Sequence, residues 1–316
     1  MSVLSEKHFH DEAAAYRYVE ARVWPNGPVC PHCGGVERIS PMKGKSTRIG
    51  TYKCYQCRKP FTVKIGTVFE ASHVKMHLWL QAIFLMASSK KGISANQMHR
   101  TLGVTLKTAW FMAHRIREAM RSGQLGSLGG EGKIVEADET YYGKQKDPKP
   151  SRQRYGRPYL KGGRTGPSGK RAIVALIERG GNVRSFHVAS ATKQNVAALV
   201  SENIAQESVL MTDESRLYPT VGQTFADHQT VKHSHREYVR GNVHTNTVEN
   251  YFSVFKRGMK GTYQHCAEKH LHRYLAEFDF RHNNRVTFGV NDDERMSNIL
   301  GGVQGKRLTY ETSLAR

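Results

Sequence analysis

Ile134-Val135-Glu136-Ala137-Asp138-Glu139-Thr140-Tyr141-Tyr142 reads as a strand, rich in β-branched and aromatic residues. Side chains alternate along a strand, so Ile134, Glu136, Asp138 and Thr140 share one face. An ionised Asp midway along an apolar strand is expensive to bury unless a charge meets it. Taken alone, the stretch is either an edge strand with solvated acids or a strand whose carboxylate holds a metal ion.

Two later stretches bear on that choice. Val209-Leu210-Met211-Thr212-Asp213 is a second short apolar run ending in Asp. In His244 to Gly261, the apolar residues Val248, Tyr251, Phe252, Phe255 and Met259 fall at helical spacing. The opposite stripe carries Glu249, Ser253, Lys256 and Lys260, and Asn246 or Thr247 serves as the expected N-cap. Asp138 therefore stands on a strand, Asp213 at a strand end and Glu249 on a helix. Lys256 follows Glu249 by seven residues, two helical turns along the same stripe.

This constellation resembles the DDE transposases and retroviral integrases. The resemblance implies a ribonuclease H-like fold on which Asp138, Asp213 and Glu249 bind two divalent metals, magnesium or manganese. It also implies that the basic residue seven after the Glu, here Lys256, meets DNA; Arg257 and Lys260 are further candidate DNA contacts on the same stretch. The chemistry accounts for the residue types. Phosphodiester transfer uses one metal to activate the attacking oxygen and another to stabilise the leaving one, and such hard cations take carboxylate oxygens.

The chain has 316 residues, room for two or three domains, and a formal net charge of +21 with a pI near 9.9. That balance points to a polyanionic partner, and nucleic acid fits it. No apolar run of membrane-spanning length is present, and the first residues lack the apolar core of a signal peptide. The expectation is a cytoplasmic protein whose thiols serve metal binding or packing rather than disulfides.

Four of the five cysteines form two knuckles, Cys30-Pro-His-Cys33 and Cys54-Tyr-Gln-Cys57, at the spacing of a zinc site. Four thiolates close a tetrahedral structural site with no position open for chemistry. A thioredoxin-like redox site needs one such knuckle, not two. The expected module is a zinc ribbon over residues 28–65, with Tyr52, Tyr55 and Phe61 packed on the metal core, and its small size makes the metal a large part of its folding free energy. A helix over residues 5–24 precedes it within an N-terminal segment 1–27 and ends at Trp24-Pro25.

Residues 70–121 read as helices. Ser94 caps one short helix, Leu102-Gly103-Val104 makes a tight turn, and Thr105 caps a second helix running to about Arg121. That is a helix-turn-helix pattern, with Thr105, Lys107 and Thr108 as candidate contacts in a DNA groove. An ordinary three-helix packing domain shares the same turn. Residues 122–132 are Gly-rich and form a linker.

A domain over residues 133–285 follows, interrupted by a basic insertion, 143–171. The insertion's Gly and Pro content makes it a loop, and Arg152, Arg154 and Arg157 are its candidate phosphate contacts. Beyond it the expected order is a hairpin (Ala172 to Glu178, Asn182 to Ala189), a helix (Thr192 to Ile204), a strand (Ser208 to Asp213), a short helix (Leu217 to Val221), a strand (His228 to Lys232) and the Glu249 helix. Counting the first strand, this is the ribonuclease H-like order, with a mixed sheet. Cys266 is expected in the helix of Leu271, Tyr274, Leu275 and Phe278, and residues 286–316 form a C-terminal tail. The chain is thus expected to be a multidomain α+β protein.

A closer resemblance is carried by WPNGPVCPHCGG, VEADETYYGK, HTNTVENYFSVFKRGMKGTYQH, EKHLHRYLAEFDFRHNNR and GKRLTY. The text is similar to the bacterial insertion-sequence transposases that place a zinc ribbon before the DDE domain. The resemblance implies binding of element ends, metal-dependent strand cleavage, and transfer into double-stranded target DNA by a dimer or higher homo-oligomer. Relatives with Asn as the third residue leave Asn246, one turn before Glu249, as the alternative to it. Glu136, Glu139 and Glu214 flank the two Asp as candidate outer groups rather than ligands, and His233, His235 and His244 precede the helix. A non-catalytic DNA-binding regulator and a nuclease without strand transfer are the competing readings.

Overall fold

In the computed structural model, which describes residues 3–121, 126–145, 152–154, 157–159 and 169–308, the chain divides into two units, Met1–Ser122 with Asn284–Arg316, and Gly123–Asn283. The first four residues of the expected linker and most of the basic insertion lie outside the described residues, as do the side chains of Arg152, Arg154 and Arg157.

In the first unit, α1 (Glu12–Val23) starts later than its composition suggested, because Asp11 accepts the Ala14 N–H at 2.7 Å and sets the first turn there. The strands β1 (Ile39–Pro41), β2 (Tyr52–Cys54) and β3 (Pro60–Phe61) form a small antiparallel sheet. Tyr52 and Phe61 stack with ring centroids 5.8 Å apart, and Trp24 meets both edge-on. Tyr55, expected in that cluster, is instead exposed with Lys53 over its ring.

The helix α2 (Met76–Ser88) buries Trp79, Leu80, Ile83 and Met86, and is capped from afar by Glu12, which accepts the Met76 and His77 N–H groups. Next come α3 (Ala95–Leu102) and α4 (Leu106–Met120). Ser94 and Thr105 each accept the N–H of the residue three positions on. Gly103 between the helices has φ +65, the left-handed conformation that glycine adopts without penalty.

The second unit is built on β4 (Ile134–Lys144). The short pair β5 (Arg152–Arg154) and β6 (Arg157–Tyr159) is antiparallel, so the basic insertion is not wholly a loop. Then follow β7 (Lys170–Glu178), β8 (Val183–Val188), α5 (Lys193–Asn203), β9 (Val209–Asp213), α6 (Pro219–Gly222), β10 (Asp227–Val231), the hairpin β11 (Val239–Arg240) and β12 (Val243–His244), α7 (Asn246–Gly258) and α8 (Leu271–Asn283). The sheet is mixed, in the order β10-β9-β4-β7-β8, with β4 antiparallel to β7 and parallel to β9.

Alternation along β7 divides two cores. Ile173, Ala175 and Ile177 pack with Val248, Tyr251, Phe252 and Phe255 of α7 and with α8. Val174 and Leu176 pack on the other face with Val196 and Val200 of α5, and with Tyr218 and Val221. Cys266 lies ahead of α8 rather than inside it, half-buried, with its carbonyl accepting from Arg171.

The chain then returns to the first unit. Asn291 and Glu294 form a capping box for α9 (Asp292–Gly301), which packs on α1, α2 and α4 and buries Met296, Ile299 and Leu300. Among the described residues no helix is long and apolar enough to cross a membrane.

Candidate active site

The strand register explains how the two Asp residues meet. The parallel pairing of β4 with β9 runs Ile134–Val209, Val135–Leu210 and Glu136–Met211. Carrying it two residues further sets Asp138 beside Asp213, on one face by alternation. Ligand oxygens of Asp138, Glu139 and Asp213 all lie within 4.8 Å of one another. Glu139 points to the opposite face from Asp138 and still reaches the group, held by the hydroxyls of Tyr218 at 2.9 Å and Ser215 at 3.2 Å. Glu249 is not in that trio. It faces Asp138 and Glu139 across a cleft of about 480 Å³, which Lys256, Arg257 and Lys260 also line.

The electrostatics are those of carboxylates crowded out of water. Burial is the main cause that lifts Asp138 to about 8, and the charges of Asp213, Glu139 and Glu249 add to it, against one bond from the Glu139 N–H. Asp213 and Glu139 are also raised, chiefly by burial. Lys256 on the other wall is lowered by burial while Asp138 opposes that shift. Such a converging group of hard oxygen donors fits a divalent cation.

Glu249 accepts the Thr245 hydroxyl at 2.9 Å and has His233 Nε2 at 3.5 Å. Asn246, the alternative third residue, is exposed, is not among the residues lining the cleft, and donates its backbone N–H to His244 Nδ1. Glu214 is exposed and accepts from Ser234 instead of reaching the acids.

Two local expectations fail at the start of α7. Neither Asn246 nor Thr247 is its cap; Thr245 holds that position, and its side chain makes no capping bond. The orphan N–H groups of Thr247 and Val248 go to Glu136, at 2.8 and 3.1 Å. Glu136 is wholly buried and also accepts Arg179 Nε at 2.6 Å. Burying that charge without partners would cost several kcal/mol; the arginine and the positive end of the helix offset it. The sequence marks Glu136 only as an acid on a strand, since its partners lie far along the chain.

In the first unit, Cys30, Cys33, Cys54 and Cys57 converge. Cys30 Sγ lies 3.7 Å from Cys57 Sγ, and Cys33 Sγ 3.7 Å from Cys54 Sγ. A tetrahedron of thiolates at about 2.3 Å from a zinc ion has edges of about 3.8 Å, so the four sulfurs fit one. The Cys57 backbone N–H is the main cause holding the Cys54 thiol low, at about 7. At the start of α4, Lys107 is exposed, while the Thr105 hydroxyl is taken up by the cap and by Thr108 Oγ1 at 2.8 Å.

Residues 127–283 match the family described as "ISXO2-like transposase domain", and residues 10–60 the family described as "Transposase zinc-ribbon domain". A relative from Halobacterium salinarum, described as an "Uncharacterized protein in transposable element ISH50", is 28% identical over 301 residues, covering 93% of this chain and 97% of its own. Among solved structures, the Mos1 strand transfer complex is 12% identical over 70% of this chain and 72% of that one, with a TM-score of 0.28. The Mos1 paired-end complex with the left transposon end is 13% identical over 70% and 73%, with a TM-score of 0.27. At those scores the likeness carries no inference about this chain.

Proposed function

We propose that this chain, which belongs to the insertion-sequence transposases built from a zinc ribbon and an ISXO2-like transposase domain, binds the ends of its element, cleaves them and joins them to target DNA. The observation that carries this reading is the convergence of Asp138 with Asp213 on neighbouring strands, Asp138 facing Glu249, Lys256, Arg257 and Lys260 across one cleft.

Asp138 and Asp213 hold a divalent metal, magnesium or manganese, and Glu249 completes the site from α7, with Glu139 the nearest further carboxylate. Bound there, the metal supplies the Lewis acidity that phosphodiester transfer requires. Lys256, Arg257 and Lys260 bind backbone phosphates along the cleft and orient the scissile bond toward the acids. The element's 3′ hydroxyl attacks a target phosphodiester in line, the new P–O bond forming as the bond from phosphorus to the target's own 3′ oxygen breaks and that oxygen leaves as a hydroxyl, with no covalent enzyme intermediate. The strand order around β4 supports a ribonuclease H-like catalytic domain within residues 133–285.

Structural zinc on the four cysteines folds the ribbon. The pair α3–α4 acts as a helix-turn-helix that presents Lys107 to DNA, and the 143–171 arm adds phosphate contacts. Two or more copies assemble on the element ends.

The test incubates the protein with labelled element ends, target plasmid and Mg²⁺. Joined product is expected, and Asp138→Asn removes it. Cut product alone would make the chain a nuclease, and a retarded DNA band without either product would make it a regulator.

A further inference from the structure

We infer that Glu136 and Arg179 form a clasp that sets the helix acid Glu249 against the strand acid Asp138, so that Glu136 is a positioning residue for the metal site. The inference rests on the metal-dependent reading above.

Glu136 stands two residues before Asp138, on the same face of β4. Its Oε2 takes the N–H groups of Thr247 and Val248, and its Oε1 takes the Thr247 hydroxyl at 2.9 Å. Those groups form the first turn of α7, immediately before Glu249. Strand and helix therefore share one buried carboxylate close in sequence to Asp138 on β4 and bonded to the two residues before Glu249 on α7.

Arg179 fixes the approach to that turn. Its Nε donates to Glu136, one terminal nitrogen donates to the Asn242 carbonyl at 2.8 Å, and the other to the His244 carbonyl at 2.8 Å. The guanidinium thus ties β4 to the hairpin that delivers the chain into α7, a task for its fixed fork of donors.

The capping pattern shows what the clasp allows. A Thr preceding a helix ordinarily accepts N–H groups of the first turn. Here Glu136 takes them, and the Thr245 hydroxyl donates to Glu249 Oε1 instead. One buried acid both registers the helix and releases the group that holds the Glu249 carboxylate. Partners of this kind, one step removed from a metal ligand, typically change metal affinity by about 10- to 100-fold when lost.

The experiment titrates Mn²⁺ into the full-length, zinc-loaded protein without DNA, read by electron paramagnetic resonance. For Glu136→Gln the dissociation constant is expected to rise on the order of 10-fold, because the amide presents N–H where Arg179 or the helix also presents N–H. In a Glu249→Gln background the same change should add little, since the clasp acts through Glu249. A wild-type constant in Glu136→Gln, or a shift of equal size in both backgrounds, overturns the inference. Thr247→Val removes one bond and leaves the charge pair in place; it should move the constant the same way by less, and it decides the matter alone if Glu136→Gln does not fold. Wild-type protein that takes up no Mn²⁺ would overturn the reading of the site itself, and the clasp with it.

Discussion

Asp138 and Asp213 stand level on neighbouring parallel strands, two residues beyond the last ladder pair, Glu136 and Met211. Beyond that pair the carboxylates of Asp138 and Asp213 converge, with Glu139 beside them. The same register that brings them together makes them repel, and that conflict is the source of the behaviour expected of this protein.

Asp138→Asn and Asp213→Asn should each lower strand transfer by roughly 100-fold or more, a loss comparable with removing a main electrostatic stabiliser of a transition state. DNA binding measured by gel retardation should survive in both. Glu249→Gln should share the loss and Asn246→Ala should not; the opposite pair of results would make Asn246 the third residue.

The pH dependence has a definite sign. The folded chain holds the Asp138 proton up to about 8, against 3.8 ordinarily. Between those values the native state binds more protons than the unfolded one, so stability falls as pH rises through the window. Without metal, the melting temperature of the second unit should therefore drop from about pH 4 to about pH 8. Asp138→Asn should flatten the slope, and Mg²⁺ should raise the melting temperature most at the alkaline end. A metal-free protein that grows more stable over this range would contradict the assignment.

Cys54→Ser should abolish zinc binding and unfold residues 28–65, with the melting of the second unit unaltered. Metal analysis of freshly purified wild-type protein should find one zinc per chain; finding none would mean that the four cysteines do not form a zinc ribbon.

DNA affinity should fall steeply with salt as condensed counterions are released. Removing Lys256, Lys260 or a basic residue of the 143–171 arm should flatten the log-log slope by about 0.9 for each phosphate that is no longer neutralised. An unchanged slope after neutralising the arm would make it a solvated segment.

Elements whose ends carry their own signals are legible from the sequence. Ser94, Gly103 and Thr105 place α3 and α4 within a residue or two, because each acts through backbone atoms a few positions away. The alternation in β4 likewise puts Glu136 and Asp138 on the face that meets α7. What escapes is whatever depends on a distant partner. The cap of α7 comes from Glu136, not from Asn246 or Thr247, and no local rule reports it. Glu139 reaches the acid group against its strand parity because Tyr218 and Ser215 hold it there. The β11–β12 hairpin had a signal in Gly241-Asn242, but its flanking runs are only two residues each.

The return of α9 to the first unit bears on the order of synthesis. Its Met296, Ile299 and Leu300 are buried in a unit where α9 packs on three helices, α1, α2 and α4, all complete by residue 120. A chain emerging from the ribosome makes the whole second unit before it makes the helix that covers those three. Limited proteolysis of a chain stopped at residue 283 should cut around α2 more readily than in the full-length protein. The module proposed to bind DNA thus reaches its finished form only after the module proposed to cut it has already been translated.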